Sequence, residues 1–381
     1  MNFEFSQDQK LLMEMIRDFV RKEIKPKVKN LEDKHQFPSE ILKKLSELGI
    51  LGMTIPAEYG GIKTDYLSFI LTLEELGKFF PSLAVIISVH CSLFCYAIYK
   101  FGTEKQKRKY LPPATKGDLL GAFSISEPGA GSDATNLKTK AVRQGDIYLL
   151  NGTKAWVTSG NNADAFIILA KSEVEPGLLK LNAFIVEKSF PGLKISKIEE
   201  KMGLHSSATT EIVLDDCQVP AENLLGPEGK GATVALHCLD GSRIGIAAQA
   251  VGLASQALEE AVRYAKKREA FGQKISEFQA IQFMIADMST LLEAARLLTY
   301  KAADLFDKGK SFGKEAAMAK LLATEAANKI VYQALQIHGA YGYSREFLIE
   351  QLFRDARVFS IYEGTSEIQR IIISRYLLKG N

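Results

Sequence analysis

The distribution of proline is the feature that most restricts what this chain can fold into. All 11 prolines lie at or before Pro227, so residues 228–381 contain none. Proline breaks the interior of a helix, and this last part of the chain is therefore free to form long helices. Its apolar residues recur at helical spacing, and many of them are alanines that let helices approach closely. The pattern predicts a four-helix bundle of long antiparallel helices over residues 231–381.

The first part of the chain is also predicted to be helical. Ser6 and Gln9 match a capping box, in which the first residue caps the helix and the fourth bonds back to it. Further helical stretches are expected around residues 38–48, 66–78 and 83–100, separated by Gly/Pro turns. Residues 1–120 are therefore predicted to form an all-α domain.

A charge-free stretch from Phe79 to Tyr99 is long enough to cross a bilayer. It contains Pro81, His90 and several serines, and it lacks the usual flanking aromatic anchors. A buried helix is therefore the better interpretation, and no membrane association is expected. The N-terminus also lacks the basic and apolar regions of a signal peptide.

Between residues 121 and 230 the pattern changes to short strands. Gly145-Asp146 and Asn151-Gly152 are interpreted as hairpin turns, and further strand-like runs occupy residues 165–170, 183–186 and 211–214. This block is predicted to be a β-barrel or sandwich between the two helical parts. The expected fold class is α+β, with an N-terminal helical domain (1–120), a central β domain (121–230) and a C-terminal bundle (231–381).

Charge and cysteine content exclude several classes of function. The net charge is only +3, and no run of Lys and Arg with interleaved aromatics suggests nucleic-acid binding. The four cysteines and five histidines show no metal-ligand spacing, so no metal is expected. Reduced, buried thiols in a cytoplasmic protein are the favoured interpretation of the cysteines.

The segment Ile361–Arg370 carries the most specific chemistry. It places Glu363 beside Gly364 at the break between two predicted helices. A carboxylate at such a break can reach a cavity while its own N–H points the same way. A base and an amide donor together are what abstraction of a proton α to a carbonyl requires.

Two other segments suggest a site for a planar ligand. Residues 123–133 begin the β block and combine Ser126 with glycines that let backbone amides approach a ligand closely. Residues 151–160 hold the only tryptophan, Trp156, followed by Thr158. Each segment alone is compatible with an ordinary loop or core strand.

Together these three segments resemble those of the acyl-CoA dehydrogenases, and the resemblance extends over essentially the whole chain. Residues 239–247 are most similar to the short-chain, butyryl-type members. The resemblance implies an FAD-dependent enzyme that converts a short or compact acyl thioester into its 2-enoyl thioester. The α-proton would go to a carboxylate base and the β-hydrogen, as hydride, to flavin N5.

The resemblance also implies the residues that hold FAD. Phe123, Ile125 and Ser126 would line the flavin ring, with Trp156 and Thr158 on its other side. The pyrophosphate and adenosine end would be held partly by a neighbouring subunit of a homotetramer, a dimer of dimers. The residues matching this and other cofactor positions are Arg268, Phe271, Gln279, Gln336, Gly339, Thr365 and Glu367.

The catalytic base can be assigned between two positions used in the family. One branch carries Glu at the position of Ser242, and the other carries it in the Tyr-Glu-Gly-Thr segment, which is intact here. Glu363 is therefore the expected base. The substrate contacts implied by the resemblance involve Ser132, Asp240, Ser242, Arg243 and Gly364.

The resemblance implies an electron-transfer flavoprotein as the electron acceptor. Three alternatives stay open: an acyl or aminoacyl thioester on a carrier protein, an oxidase that uses O₂, and a flavin-bearing scaffold without turnover. His205 stands where relatives usually have Arg, which keeps the carrier-protein alternative in view. Ala340 likewise replaces the second glycine of a usual Gly-Gly pair.

Overall fold

A computed structural model describes residues 4–379 of the chain. The first part is a compact set of helices joined by short turns, with two π-helical segments at Val20–Ile24 and Val89–Cys95. Its helices are α1 (Gln7–Phe19), α2 (Val28–Asp33), α3 (Ser39–Glu47), α4 (Tyr66–Phe79), α5 (Pro81–Ser88), α6 (Tyr96–Phe101) and α7 (Glu104–Thr115).

Local sequence signals explain where these helices begin. The predicted capping box is present, since the Ser6 side chain accepts from Gln9 N–H and the Gln9 side chain accepts from Ser6 N–H. Thr103 and Gln106 form a second capping box at the start of α7. Pro81 occupies the first turn of α5, where its missing N–H costs no helical hydrogen bond.

One segment of the described residues, Pro81–Phe101, has the length and apolarity of a membrane-spanning helix. Within the protein, 89% of its most apolar window is buried. His90 lies in this segment with both ring nitrogens bonded, since Nδ1 accepts from Gly121 N–H (3.0 Å) and Nε2 contacts the Ala114 carbonyl (3.1 Å). It is thus a satisfied core histidine, and burial lowers its pKa to about 4.

The central block is a largely antiparallel sheet of eight strands in the order β6-β7-β3-β2-β4-β5-β8, with β1 pairing parallel to β4. Apolar residues fill a core cluster between its faces, including Phe166, Phe184 and Ile212. The strands are β1 (Gly121–Ser124), β2 (Lys140–Gln144), β3 (Ile147–Thr158), β4 (Ala165–Glu175), β5 (Leu178–Glu187), β6 (Leu193–Ile198), β7 (Thr209–Pro220) and β8 (Leu224–Leu225).

The prediction of a hairpin turn at Asn151-Gly152 is wrong. These residues lie inside the long strand β3, where the pairing with β7 shifts register between Leu150 and Gly152. The Asn151 side chain bonds Asp216 instead of closing a turn. Gly152 is required by packing, because an added Cβ would approach Thr139 Oγ1 to 2.5 Å. The segment is therefore an irregularity in a strand, whereas Gly145-Asp146 forms the expected turn.

The proline-free part forms the predicted helical bundle. Close packing between α8 and α4 depends on glycine, because a Cβ at Gly252 would lie 2.1 Å from the Glu74 carbonyl oxygen. The elements are α8 (Gly231–Ala265), β9 (Glu269–Ala270), β10 (Gln273–Lys274), α9 (Gln279–Asp307), α10 (Gly313–His338), α11 (Leu348–Ala356) and α12 (Ser366–Lys379).

Two buried carboxylates join all three parts of the chain. Glu32 of α2 accepts hydrogen bonds from the backbone N–H groups of His205 (2.9 Å) and Ser206 (3.4 Å). Asp355 of α11 accepts from Leu204 N–H at 2.6 Å. The loop they hold leads into β7, which pairs with the end of β3. This junction therefore fixes the position of the strand that carries Trp156 and Thr158.

The junction predicts a pH dependence of folding stability. Burial and the nearby Glu32 charge raise the pKa of Asp355 from 3.8 to about 7. Between these two pH values the folded state binds more protons than the unfolded state, so this carboxyl's contribution to stability is lost as pH rises. Asp355→Asn should flatten the fall in the free energy of unfolding between about pH 4 and about pH 7, measured by urea denaturation.

Asp287, which is exposed on α9, provides the matched control. Asp287→Asn should show the same decrease in the free energy of unfolding with rising pH as the wild-type protein. A slope that is equal in all three proteins would contradict the assignment to Asp355.

Candidate active site

Glu363 lies in the short turn between a 3₁₀ segment (Arg357–Ser360) and α12. Both Glu363 (φ +50°) and Gly364 (φ +95°) have left-handed backbone conformations. Glycine adopts this conformation readily, but a residue with a side chain does so at a cost of about 1–3 kcal/mol. The turn therefore holds the Glu363 side chain in a direction that a regular helix would not allow.

The Glu363 carboxylate has one occupied and one free oxygen. The Ser242 hydroxyl, on α8, donates a hydrogen bond to Oε2. Oε1 is buried and has no hydrogen-bond partner within residues 4–379. Ser242, a predicted substrate contact, thus lies directly beside the carboxylate of the predicted base. This contact also shows that positions 242 and 363, the two alternative base positions, face the same point.

Two positively charged residues lie near this carboxylate, and within the described part of the chain only one of them is paired with an acidic residue. Arg243 forms a buried ion pair with Asp240 on the same face of α8. Lys320, on α10, is fully buried and donates to the Gly364 carbonyl at 2.7 Å. Burial raises the pKa of Glu363 to about 6, although the Ser242 hydrogen bond and the charges of Lys320 and Arg243 oppose that rise.

Several side chains fix the turn around Glu363. Gln369 donates to the Gly364 carbonyl at 3.0 Å, and Ser366 donates to Glu325 at 2.5 Å. Thr365 accepts from Ile368 N–H at 3.3 Å and so caps α12. Because these contacts come from two helices, the position of the carboxylate is set by the packing of the bundle.

The two segments predicted to bind a planar ligand are joined to each other. Ala155 N–H donates to the Ser126 carbonyl at 2.9 Å. Behind them Lys154, fully buried, donates to the Ile125 carbonyl (3.1 Å) and to Glu127 Oε1 (2.9 Å). The end of β3 and the loop after β1 therefore form one continuous surface.

Features of this surface fit the ring system of FAD. The Trp156 residue is 61% exposed and has a left-handed backbone conformation (φ +60°), which presents a large aromatic group to solvent. Thr158, Ile125 and Ser126 are partly exposed beside it, whereas Phe123 is nearly buried. Within residues 4–379, the buried hydroxyls of Ser124, Ser159 and Thr210 have no hydrogen-bond partner.

Five further cofactor candidates lie together at the opposite end of the bundle, and all are exposed: Arg268, Phe271, Gln279, Gln336 and Gly339. The Arg268 guanidinium stacks over the Tyr341 ring, 5.7 Å from its centre. Helix α8 extends from Ser242 to this end, about 35 Å at 1.5 Å per residue. One chain therefore does not bring these residues to Glu363.

The remaining candidates are at the surface or at the domain junction. Ser132 and Glu367 are exposed, on the loop after β1 and in the first turn of α12 respectively. His205 stacks on His35 with 4.2 Å between ring centres, and its Nε2 lies 3.1 Å from an Arg354 nitrogen. The departure at His205 is thus part of the packing between domains.

Sequence reasoning missed Lys320 and Gln369. Ala319 and Ala323 are among the alanines at helical spacing, and Lys320 lies between them with Ala316 and Thr324 one turn away on either side. A single lysine at this spacing within a run of alanines was a readable signal of a buried charge. Gln369 gave no comparable signal.

Comparison with known proteins agrees with this geometry. Models of the N-terminal, middle and C-terminal domains of acyl-CoA dehydrogenase match residues 6–118, 122–217 and 229–378. An acyl-CoA dehydrogenase of Bacillus subtilis (strain 168) is 48% identical over 98% of this chain and 99% of its own length.

Solved structures of acyl-CoA dehydrogenases are also similar to this chain. Butyryl-CoA dehydrogenase from Megasphaera elsdenii is 43% identical with a TM-score of 0.96, covering 99% of this chain and 100% of that one. An acyl-CoA dehydrogenase complexed with FAD from Bacillus anthracis is 36% identical with a TM-score of 0.93, covering 99% of this chain and 68% of that one. The predicted fold class and the FAD cofactor are confirmed. This chain belongs to the acyl-CoA dehydrogenase family of flavoprotein oxidoreductases and is most like its short-chain type.

Proposed function

We propose that this protein dehydrogenates a short or compact acyl-CoA at the α,β-bond, with Glu363 as the base that removes the α-proton. The single observation that carries this assignment is the free, buried Oε1 of Glu363. An ionised oxygen without a partner is available to accept a proton, while Ser242 holds the other oxygen in place.

The environment of Glu363 suits this task. Its pKa near 6 leaves the carboxylate mostly ionised at neutral pH, yet more basic than an ordinary glutamate. Water exclusion by a bound substrate would raise that pKa further, because burial disfavours the charged form. The Glu363 N–H would donate to the thioester carbonyl oxygen and stabilise the negative charge that develops there.

The remaining candidate residues would bind the substrate and the cofactor. Asp240, Arg243, Gly364 and Ser132 would contact the thioester and its carrier portion. Bound FAD supplies the two-electron acceptor of the reaction. Its ring would be held by Phe123, Ile125, Ser126, Trp156 and Thr158. Thr365 and Glu367, at the start of α12, would also contact the cofactor.

The separation of the two candidate surfaces supports an FAD site that needs a second subunit, as in the homotetramer that the family resemblance implies. Arg268 lies just beyond the end of α8, and that end is about 35 Å along the helix from Ser242, which contacts Glu363 in the same chain. A second subunit could bring its Arg268 surface to the first subunit's flavin surface, where a planar guanidinium can bind two phosphate oxygens. We infer that the FAD site is completed between subunits and that an electron-transfer flavoprotein reoxidises the flavin.

Anaerobic titration of the FAD-loaded protein with acyl-CoA esters tests the function. Short straight-chain esters should bleach the visible flavin absorbance, and long-chain esters should do so less effectively. Free CoA is the control for ligand binding without oxidation. If no acyl thioester bleaches the flavin, the protein is a flavin-bearing scaffold and the proposed function is wrong.

The same assay separates the enzymatic alternatives. Matched acyl groups on CoA and on an acyl carrier protein should be compared at equal concentration. Because His205 is engaged with His35 and Arg354, we expect CoA esters to be at least as good. Rapid reoxidation of the reduced flavin by O₂ would instead favour an oxidase.

Trp156 provides a direct test of the flavin site. As the only tryptophan, it reports FAD binding through its fluorescence, which should fall on titration of the apoprotein with FAD. Trp156→Ala should weaken FAD binding by roughly tenfold, because stacking on an aromatic face contributes about 0.5–1.5 kcal/mol beyond the lost contact area. Because neither variant contains a tryptophan, the affinities of all three proteins are compared from the FAD that stays unbound after ultrafiltration. Trp156→Phe should retain most of the affinity, and equal affinities in all three proteins would place the flavin elsewhere.

A further inference from the structure

Lys320 is the feature near the active site that the mechanism above does not use. Its side chain is fully buried in an alanine-rich part of α10, with Ala316, Ala319 and Ala323 also buried around it. Its ammonium group makes a hydrogen bond to the Gly364 carbonyl at 2.7 Å. A buried charge is costly unless it is paired, yet Lys320 has no carboxylate within 4 Å among the described residues. Such a group calls for a functional explanation.

The hydrogen bond of Lys320 falls on the residue after the base. Gly364 and Glu363 both have left-handed backbone conformations, and the Gly364 carbonyl is the acceptor for both Lys320 and Gln369. This carbonyl belongs to the peptide group between Gly364 and Thr365, so fixing it holds the turn directly after Glu363. The direction of the Glu363 side chain depends on the left-handed conformation of that turn.

The charge of Lys320 also acts on the base. It is the largest positive-charge contribution that favours the ionised form of Glu363, ahead of Arg243. The Arg243 charge is already offset by Asp240, to which it is bonded. Burial lowers the pKa of Lys320 to about 7, and the Glu363 charge opposes that decrease. The charge of each group therefore favours the ionised form of the other.

We propose that Lys320 is a positioning residue for the dehydrogenation: its ammonium group fixes the Gly364 carbonyl and its positive charge keeps the Glu363 carboxylate ionised until substrate binds. This inference rests on the proposed role of Glu363 as the base.

The other groups around this pair do not supply the same charge. Tyr66 of α4 and Tyr362 of the turn are neutral, since burial raises both pKa values well above their usual value. Glu325 accepts a hydrogen bond from Ser366, and Glu367 is exposed. The charged and titratable groups that face the pair are, by element, Asp240 and Arg243 of α8, Tyr66 of α4, Glu325 of α10, Tyr362 of the turn, and Glu367 and Tyr376 of α12.

The test is the pH dependence of flavin reduction in Lys320→Met, followed by anaerobic stopped flow with butyryl-CoA as the probe. In the wild-type protein the rate should rise with pH as Glu363 ionises. Removal of the lysine charge raises the pKa of Glu363, so the rise should move to higher pH by about one unit. Below that point the variant should be about tenfold slower than wild type at the same pH.

Two further variants separate the charge from the hydrogen bond. Lys320→Gln keeps an amide donor near the Gly364 carbonyl but removes the charge, and it should show the same shift. Gln369→Met removes the second donor to that carbonyl without changing a charge, and it should lower the maximal rate without shifting the profile. Lys329→Met, an exposed lysine on the same helix, should match wild type in rate and pH profile.

The outcomes distinguish this inference from the proposed function. If wild type reduces its flavin normally but both neutral Lys320 variants have an unshifted profile, the inference is overturned and the proposed function stands. If Lys320→Met does not fold, the profile of Lys320→Gln decides. If neither variant retains flavin, the lysine is structural and the inference is also overturned. If no acyl thioester reduces the wild-type flavin, the proposed function fails first.

Discussion

Glu363→Gln should reduce the rate of flavin reduction by acyl-CoA by about 10²–10⁴-fold, the range typical of losing a general base. The amide has the same shape as the carboxylate and can still accept a hydrogen bond from Ser242. It cannot accept the substrate proton at the position of Oε1. Single-turnover bleaching of the flavin under anaerobic conditions measures the effect directly, before any electron acceptor is involved.

FAD content should stay close to wild type in Glu363→Gln, and thermal stability should not fall, because removing a desolvated charge relieves a cost of folding. Glu346→Gln, at an exposed glutamate before α11, is the matched control and should reduce its flavin at the wild-type rate. In the wild-type protein the rate should fall as pH drops below about 6, where Glu363 becomes protonated. Undiminished flavin reduction in Glu363→Gln would refute the assignment of the base.

Glu127→Ala should destabilise the protein by about 3–5 kcal/mol, the usual cost of leaving one member of a buried ion pair alone. Glu127 accepts hydrogen bonds from Lys154 Nζ (2.9 Å), from the Lys138 and Thr139 N–H groups, and from the Thr139 hydroxyl. All four are lost in the variant. Lys154, whose pKa burial already lowers to about 8, would remain fully buried without its carboxylate.

This pair lies directly behind the flavin surface, since Lys154 also donates to the Ile125 carbonyl. Glu127→Ala should therefore lose FAD as well as stability, measured by urea unfolding and by the flavin content of the purified protein. Asp215→Ala is the matched control, because the Lys194–Asp215 pair of the same sheet is exposed. It should cost about 0–1 kcal/mol. Equal effects at the two sites would mean that Glu127 makes no special contribution.

Where sequence reasoning succeeded, the signal was local. The absence of proline after residue 227 allowed the helices of the bundle, and Ser6 with Gln9 marked the start of α1. It failed at Asn151-Gly152, where a pair typical of a hairpin turn lies within β3. Glycine is needed there because Thr139, the residue before β2, lies close to it. No local pattern records this contact.

The candidate site likewise combines features that local sequence predicts with contacts between distant residues that it does not. Residue types and their order predict Glu363 rather than Ser242 as the base, because only one of the two positions carries a carboxylate. They did not show that the Ser242 hydroxyl donates to that carboxylate, or that Lys320 lies behind it. Each contact joins a helix to the turn before α12, and the two residues are far apart in the chain and meet only in the folded bundle.

The sequence by itself determined the order of helical, β and helical parts, the chemical groups available for proton abstraction, and the family to which the chain belongs. Only the tertiary structure decided which oxygen of Glu363 is free, which charges act on it, and that Arg268 is remote from it within one chain. The physical reason is the distance over which each kind of interaction acts. Helix and strand preferences depend on neighbours within a few residues, whereas desolvation and charge–charge interaction depend on distances through space that folding alone sets.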